Sequence, residues 1–136
     1  VYLIDTDTII YSLKDDEQVK ARFLETRRVQ KSISVITYGE LIYGAHKSKH
    51  PQKNLAIVYR VADIFPVIGV SRSTMDVFGT IKSALEQSGS PLDDMDVMIG
   101  ATALLDNLIL VTNNLRHFRR IDGLRIENWK TGESVV

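Results

Sequence analysis

The chain contains no cysteine. That excludes a disulfide framework, a zinc–thiolate centre and any thiol-based catalysis, and it agrees with an expected cytoplasmic location. No apolar run approaches the roughly 20 residues that a membrane-spanning helix needs. The short greasy start lacks the basic flank and cleavage pattern of a secretion signal, so no membrane partner is expected. Neither sign of charge is in excess, with 17 Lys and Arg against 17 Asp and Glu. A uniformly basic nucleic-acid surface is thereby excluded, and any RNA contact must come from charge gathered on one face. Proline and glycine are sparse, at three and eight residues, and no linker, repeat or low-complexity tract interrupts the chain.

What is present is ordinary for a globular protein: 44% hydrophobic and 25% charged residues. Residues 1–136 read as one domain, long enough to bury a core unaided. Tyr2–Ile4, Ile33–Ile36, Val67–Val70 and Leu108–Val111 are short unbroken apolar runs, and Arg125–Trp129 adds a fifth strand expected at an edge. Between them, Ile9, Ile10 and Leu13, then Val19, Phe23 and Leu24, keep helical spacing. Thr37 is expected to open another helix, Pro51 the next. Thr74, Phe78, Ile81 and Leu85 mark a long helix ended by Gly89. Asp93 to Leu105 is apolar nearly all round and should be central. Buried strands alternating with helices call for a mostly parallel α/β sheet of four to five strands, covered on both faces.

The informative acids lie in apolar surroundings. Asp5 ends the first strand, and ligands gather at the carboxyl ends of parallel strands. Asp7 follows two residues later, as a helix cap or an additional outer carboxylate. Glu40 reads two ways. Thr37 and Glu40 have capping-box spacing, yet Glu40 also shares a stripe with Gly44 and Lys47. Asp93 and Asp94 suit helix caps. Asp96 is harder to dismiss, because a carboxylate buried without a partner costs several kcal/mol. The small residues Gly100 and Ala103 on its stripe suggest an adjoining cavity. Asn113 and Asn114 follow the fourth strand. Carboxylates forced together repel unless positive charge intervenes, and hard oxygen ligands without cysteine suit Mg²⁺, or Mn²⁺, rather than zinc.

Two family resemblances compete for the opening DTD. Asp5-Thr6-Asp7-Thr8 after a strand resembles the first motif of haloacid-dehalogenase-like phosphatases, and LILVT resembles their second. The order defeats this reading, since the acidic cluster Asp93–Asp96 precedes that Thr where the family's acidic pair should follow it. The second resemblance runs nearly end to end. YLIDTDTIIYSLK, ISVITYGELIYGA, GSPLDDMDVMIGATAL and LILVTNNLRHFRRIDGLRIENW, in this order, resemble the four motifs of the PIN-domain family and, within it, the VapC-type toxins. The chain departs from the family at Asp7, where many relatives carry Asn, and at Asn114, where many PIN domains carry Asp.

The PIN resemblance implies a three-layer α/β sandwich and a metal-dependent endoribonuclease. Asp5 and Asp96 are then the core metal ligands, Glu40 a ligand or an orienter of the attacking water, and Asn114 an orienter of water. Thr112, Asp7 and Asp94 stand behind them. Lys47, Lys49, Arg116 and Arg119 are candidate phosphate contacts, and Trp129 is expected as an edge or core anchor. The resemblance further implies cleavage of structured RNA, often tRNA, with arrest of translation. It also implies a homodimer and a VapB-type antitoxin whose C-terminal segment blocks the site. A catalytically silent RNA-binding module and a housekeeping RNA-processing nuclease are the competing readings.

Overall fold

A computed structural model of the chain describes all residues, 1–136. Its elements are β1 (Tyr2–Ile4), α1 (Thr6–Leu13), α2 (Glu17–Glu25), β2 (Lys31–Ser34), α3 (Val35–Lys47), α4 (Pro51–Ile64), β3 (Val67–Ile68), α5 (Arg72–Gln87), α6 (Asp94–Leu105), β4 (Ile109–Val111), α7 (Leu115–Phe118), β5 (Ile126–Glu127) and β6 (Ser134–Val135). The sheet runs β3-β2-β1-β4-β5-β6, parallel except for the last pair.

The strands are short, and their side chains alternate between two cores. Leu3 and Leu110 enter one core with Val97, Ile99 and Phe118. Ile4 and Val111 enter the other with Ile9, Ile33, Leu41, Val58 and Trp129. Helices α5, α6 and α7 thus cover one face and α1 to α4 the other, the expected three layers. Trp129 is only 2% exposed and meets Tyr2 and Phe23 edge to face, with ring centroids 5.2 and 4.9 Å away. It is a core anchor, not a platform for bases.

Three expectations are corrected. The sheet has six strands rather than four or five, because β6 pairs antiparallel with β5 and takes the edge from it. The third strand stops at Ile68, where Ser71 and Thr74 form a capping box that opens α5. Helix α3 begins at Val35, not Thr37, because the Ser34 side chain accepts the Ile36 N–H at 3.0 Å. Thr37 is therefore a fully buried helical residue, and Glu40 falls at the sixth helical position, beyond the first turn.

Strand order reverses between β1 and β4. The chain moves outward from β1 to β2 and β3, then returns through α5 and α6 to place β4 on the other flank of β1. Loops leaving the carboxyl ends of such neighbours diverge and leave a crevice. Asp5 follows β1 and Thr112 follows β4, and the Asp5 N–H donates to Val111 O at 2.9 Å.

Candidate active site

Asp5 sits at the centre of this crevice, 7% exposed. It is the N-cap of α1, one oxygen accepting the Thr6 N–H at 2.8 Å, while the other accepts the Thr112 hydroxyl at 2.8 Å. Both carboxylate oxygens are thus fixed, and the helix start places its dipole toward the charge. Burial nevertheless pushes the Asp5 carboxyl up to about 7, helped by the charge of Asp7 and, less, of Asp96, against the lowering effect of Thr112 and Thr6.

Asp7 is not a cap. It lies in the first turn of α1 and reaches across to the end of β4. One oxygen accepts the Asn113 N–H at 3.0 Å and, at 3.4 Å, the Thr112 hydroxyl. The other accepts the Thr8 hydroxyl at 3.1 Å. Burial raises its proton affinity, partly offset by these donors.

Glu40 arrives from α3. Its Oε1 accepts the Thr6 hydroxyl at 2.6 Å, and that hydroxyl also contacts Thr37 Oγ1 at 3.1 Å. The capping-box reading therefore fails: Ser34 caps the helix, and Glu40 is turned toward α1. Asp96, in the first turn of α6, is half-buried. Burial raises its carboxyl, as do the charges of Asp93 and Glu40, while His117 lowers it. The His117 Nδ1 is 4.0 Å from Asp96 Oδ2 and 2.8 Å from Asn114 Nδ2, so the imidazole bridges those two site residues.

The structure brings Asp5, Asp7, Glu40, Asp96, Thr112 and Asn114 to one sheet edge. Asp94 is engaged elsewhere, 3.0 Å from Lys82 on α5, while Asp93 caps α6 through the Met95 N–H. The cavity expected beside Gly100 is filled: a Cβ there would stand 2.6 Å from Ile121 Cδ1, so this small residue admits the segment after α7. Lys47, Lys49, Arg116 and Arg119 are exposed.

Sequence reasoning missed Thr6, which joins Glu40 to α1, and placed Asn113 after the fourth strand without foreseeing that its backbone N–H holds Asp7. It passed over the wedge of His117 between Asn114 and Asp96. Asn113 is itself fixed, its side chain donating to Tyr11 OH at 3.2 Å and accepting from buried Asn128 at 3.1 Å. The Thr between the acids in DTDT was the one available signal.

No three of the acidic or imidazole groups converge as a preformed metal cage. The donor chemistry still fits a hard divalent cation. Four carboxylates gather at this edge, those of Asp5 and Asp96 gain proton affinity from burial and from their neighbours' charges, and the chain has no thiol to offer a softer metal.

Comparison with known proteins gives this arrangement a family. The PIN domain model matches residues 2–124. The chain is 41% identical over 130 residues to the tRNA(fMet)-specific endonuclease VapC of Salmonella typhimurium, covering 94% of this chain and 97% of that protein. It is 36% identical to Ribonuclease VapC2 of Haemophilus influenzae, with the same two coverages. Among solved structures, VapBC2 from Rickettsia felis bound to a DNA fragment from their promoter superposes with a TM-score of 0.88 at 29% identity, covering 94% of this chain and 98% of that one. DNA-bound VapBC from Salmonella typhimurium gives 0.87 at 39% identity, covering 94% and 97%. With the acids of all four motifs, or Asn114 in the last, at the carboxyl edge of such a sheet, the chain belongs to the PIN-domain family and, within it, to the VapC proteins.

Proposed function

We propose that this protein is a Mg²⁺-dependent endoribonuclease toxin of a type II toxin–antitoxin module, cutting structured RNA of the tRNA class and so arresting translation. The observation that carries this reading is the convergence of Asp5, Glu40, Asp96 and Asn114, from four separate motifs, at the carboxyl edge of the sheet; there Asp5 is pushed up to about 7 first by burial and then by the charge of Asp7, a state that a bound divalent cation relieves.

In this reading Asp5 and Asp96 hold the cation, and Mn²⁺ can replace Mg²⁺. When bound, the ion shields phosphate oxygens and lowers the proton affinity of a coordinated water. The protein's own part is positional. Thr112 and the Thr6 N–H keep Asp5 from rotating. The Thr6 hydroxyl occupies Glu40 Oε1, which leaves Oε2 to accept a hydrogen bond from the attacking water and so orient it. Asn114, steadied by His117, presents an uncharged amide that orients water without adding to the repulsion. Lys47, Lys49, Arg116 and Arg119 meet flanking phosphates, and Asp94, through Lys82, anchors the start of α6 behind Asp96.

A VapB-type antitoxin is the expected partner, supported by the VapBC complexes among the structural neighbours. An apolar groove of about 500 Å³ between α1, α3 and α4, lined by Ile10, Leu13, Leu41 and Gly44, runs to Glu40 and suits the segment that blocks the site. A homodimer is the expected assembly, by the same family likeness.

The test is incubation of the purified chain with total tRNA and Mg²⁺, with EDTA and Asp5→Asn as controls and the products sequenced. Discrete cuts that require both Mg²⁺ and Asp5 are expected. Absence of Asp5-dependent cuts with either Mg²⁺ or Mn²⁺ would overturn the reading.

A further inference from the structure

Ten aromatic side chains are distributed over the fold, and two of them are exposed: Tyr43 at 63% and Tyr59 at 51%. Tyr43 alone shares an element with a site acid. It lies three residues beyond Glu40 on α3, which places it one turn along, with a rise of about 4.5 Å. Its ring carries the Lys47 ammonium 5.2 Å from the centroid, within the range of a cation–π contact.

The surroundings of this ring are bare. Gly39 and Gly44 flank it on the helix surface, and a Cβ at either would meet nothing within 4 Å. A glycine inside a helix costs about 1 kcal/mol relative to alanine, and the fold gives no steric reason for these two. Their effect is to leave the ring and the helix backbone beside Glu40 open to a flat ligand.

The charge around it is segregated. From Leu41 to Ala62 there is no acidic residue, while Lys47, Lys49, Lys53 and Arg60 fall in that stretch with His46 and His50. Lys47, Lys49 and Lys53 form no ion pair. In a chain of zero formal charge, the stretch around the corner between α3 and α4 thus carries cations and no acid, with Tyr43 lying between that corner and Glu40, one turn from the latter. Tyr43 and Lys47 also lie outside the apolar groove, which takes Glu40, Leu41, Gly44 and Ala45 from α3 and Ser48 just after it. A ring beside unpaired cations, away from the apolar groove, matches nucleic acid rather than a protein helix.

We propose that Tyr43 and Lys47 form a subsite for one unpaired nucleotide next to the scissile phosphodiester, the Tyr43 ring stacking on the base and Lys47 meeting its phosphate. Lys47 covers one face of the ring and the base takes the other. Stacking requires a base freed from its helix, so the subsite selects a loop or single strand at the cut and tolerates any base identity. This inference rests on the ribonuclease reading above.

The experiment measures binding without cleavage. Short single-stranded oligoribonucleotides carry one fluorescent purine analogue that is quenched by stacking, and are titrated with the full chain in an Asp5→Asn background. Tyr43→Ala, Tyr43→Phe, Tyr43→Trp and Lys47→Ala are compared, together with a blunt RNA duplex. Tyr43→Ala is expected to weaken single-strand binding about 5- to 150-fold and to abolish quenching, whereas Phe and Trp retain both. Duplex binding is expected to be indifferent to Tyr43, and Lys47→Ala to reduce the salt slope by about one phosphate. Unchanged affinity and quenching in Tyr43→Ala overturn the inference. So does a change of oligomeric state by light scattering with quenching intact, which would make Tyr43 a protein contact. Parent cleavage of tRNA that is unaltered by Tyr43→Ala defeats this subsite alone, while absence of any Asp5-dependent cleavage with quenching retained defeats the nuclease reading, and with it the placement beside a scissile bond, but not stacking on Tyr43.

Discussion

The Thr112 hydroxyl donates to Asp5 at 2.8 Å and accepts the Asn114 N–H at 3.0 Å, so one fully buried side chain ties the end of β1 to the turn after β4. Thr112→Val keeps the shape and removes both bonds. It leaves a buried carboxylate oxygen and an amide N–H short of partners, a cost of about 1–3 kcal/mol visible in chemical denaturation. Mg²⁺ affinity by calorimetry should fall roughly 10- to 100-fold, the usual effect of removing a group that orients a metal ligand. Thr112→Ser should restore most of both.

Asp5 also predicts how stability depends on pH. Its carboxyl titrates at about 7 in the folded chain against an ordinary 3.8. A raised acid favours folding when protonated, so this contribution is complete below about pH 4 and is lost as pH rises through 7. Without divalent cation, the protein should lose stability from about pH 5 to pH 8, by an amount on the order of a few kcal/mol. Asp5→Asn should flatten that slope and raise the melting temperature at about pH 8 by several degrees. Added Mg²⁺ should stabilise the parent and not the variant. A parent whose melting temperature rises between these pH values would contradict the assignment.

Glu40 depends on Thr6 for its orientation. Thr6→Val deletes the 2.6 Å bond to Oε1 while retaining the Thr6 backbone N–H that caps onto Asp5. Metal affinity should therefore stay within about threefold, and kcat for tRNA cleavage should drop roughly tenfold with KM little altered, if Glu40 positions the attacking water. Glu40→Gln should cost about 100-fold or more in kcat. A loss confined to KM in both variants would show that Glu40 binds RNA instead.

The layers, and the sheet edge that gathers the candidate residues, were legible in the sequence because they depend on periodicity and strand ends. Leu3, Ile4, Leu110 and Val111 are apolar whichever core they enter, and Asp5 and Thr112 must follow their strands. Boundaries were less legible. Ser34 and Thr37 are both competent caps, and only the backbone decides that Ser34 takes the Ile36 N–H, which freed Glu40 from the bland role its spacing suggested. Strand β6 was illegible because two residues, Ser134 and Val135, carry no periodicity; they are a strand only because Ile126 and Glu127 lie beside them. Gly100 misled, since a small residue next to an acid fits a cavity or a close packing partner equally, and Ile121 comes from a distant part of the chain. Asp94 and Asp96 have the same local character, and only Lys82, on another helix, distinguishes them by pairing with Asp94.

The clearest remaining division is between Asp5 and Asp7, two carboxylates on one short turn. Asp5 has both oxygens fixed and lies at the centre of the acids. Asp7 instead spends its oxygens on the Asn113 N–H and the Thr8 and Thr112 hydroxyls, which makes it a brace between α1 and the turn after β4. A brace needs an acceptor, not a charge. Asp7→Asn should therefore preserve folding and leave Mg²⁺ affinity within about threefold, whereas Asp7→Ala orphans the Asn113 N–H and should destabilise the fold by about 1–3 kcal/mol. Because the Asp7 charge is the largest contributor after burial to the raised Asp5 carboxyl, Asp7→Asn should also move the rise of cleavage with pH to lower pH, as Asp5 then ionises more readily. Calorimetric loss of Mg²⁺ binding in Asp7→Asn as severe as in Asp5→Asn would instead make Asp7 a metal ligand.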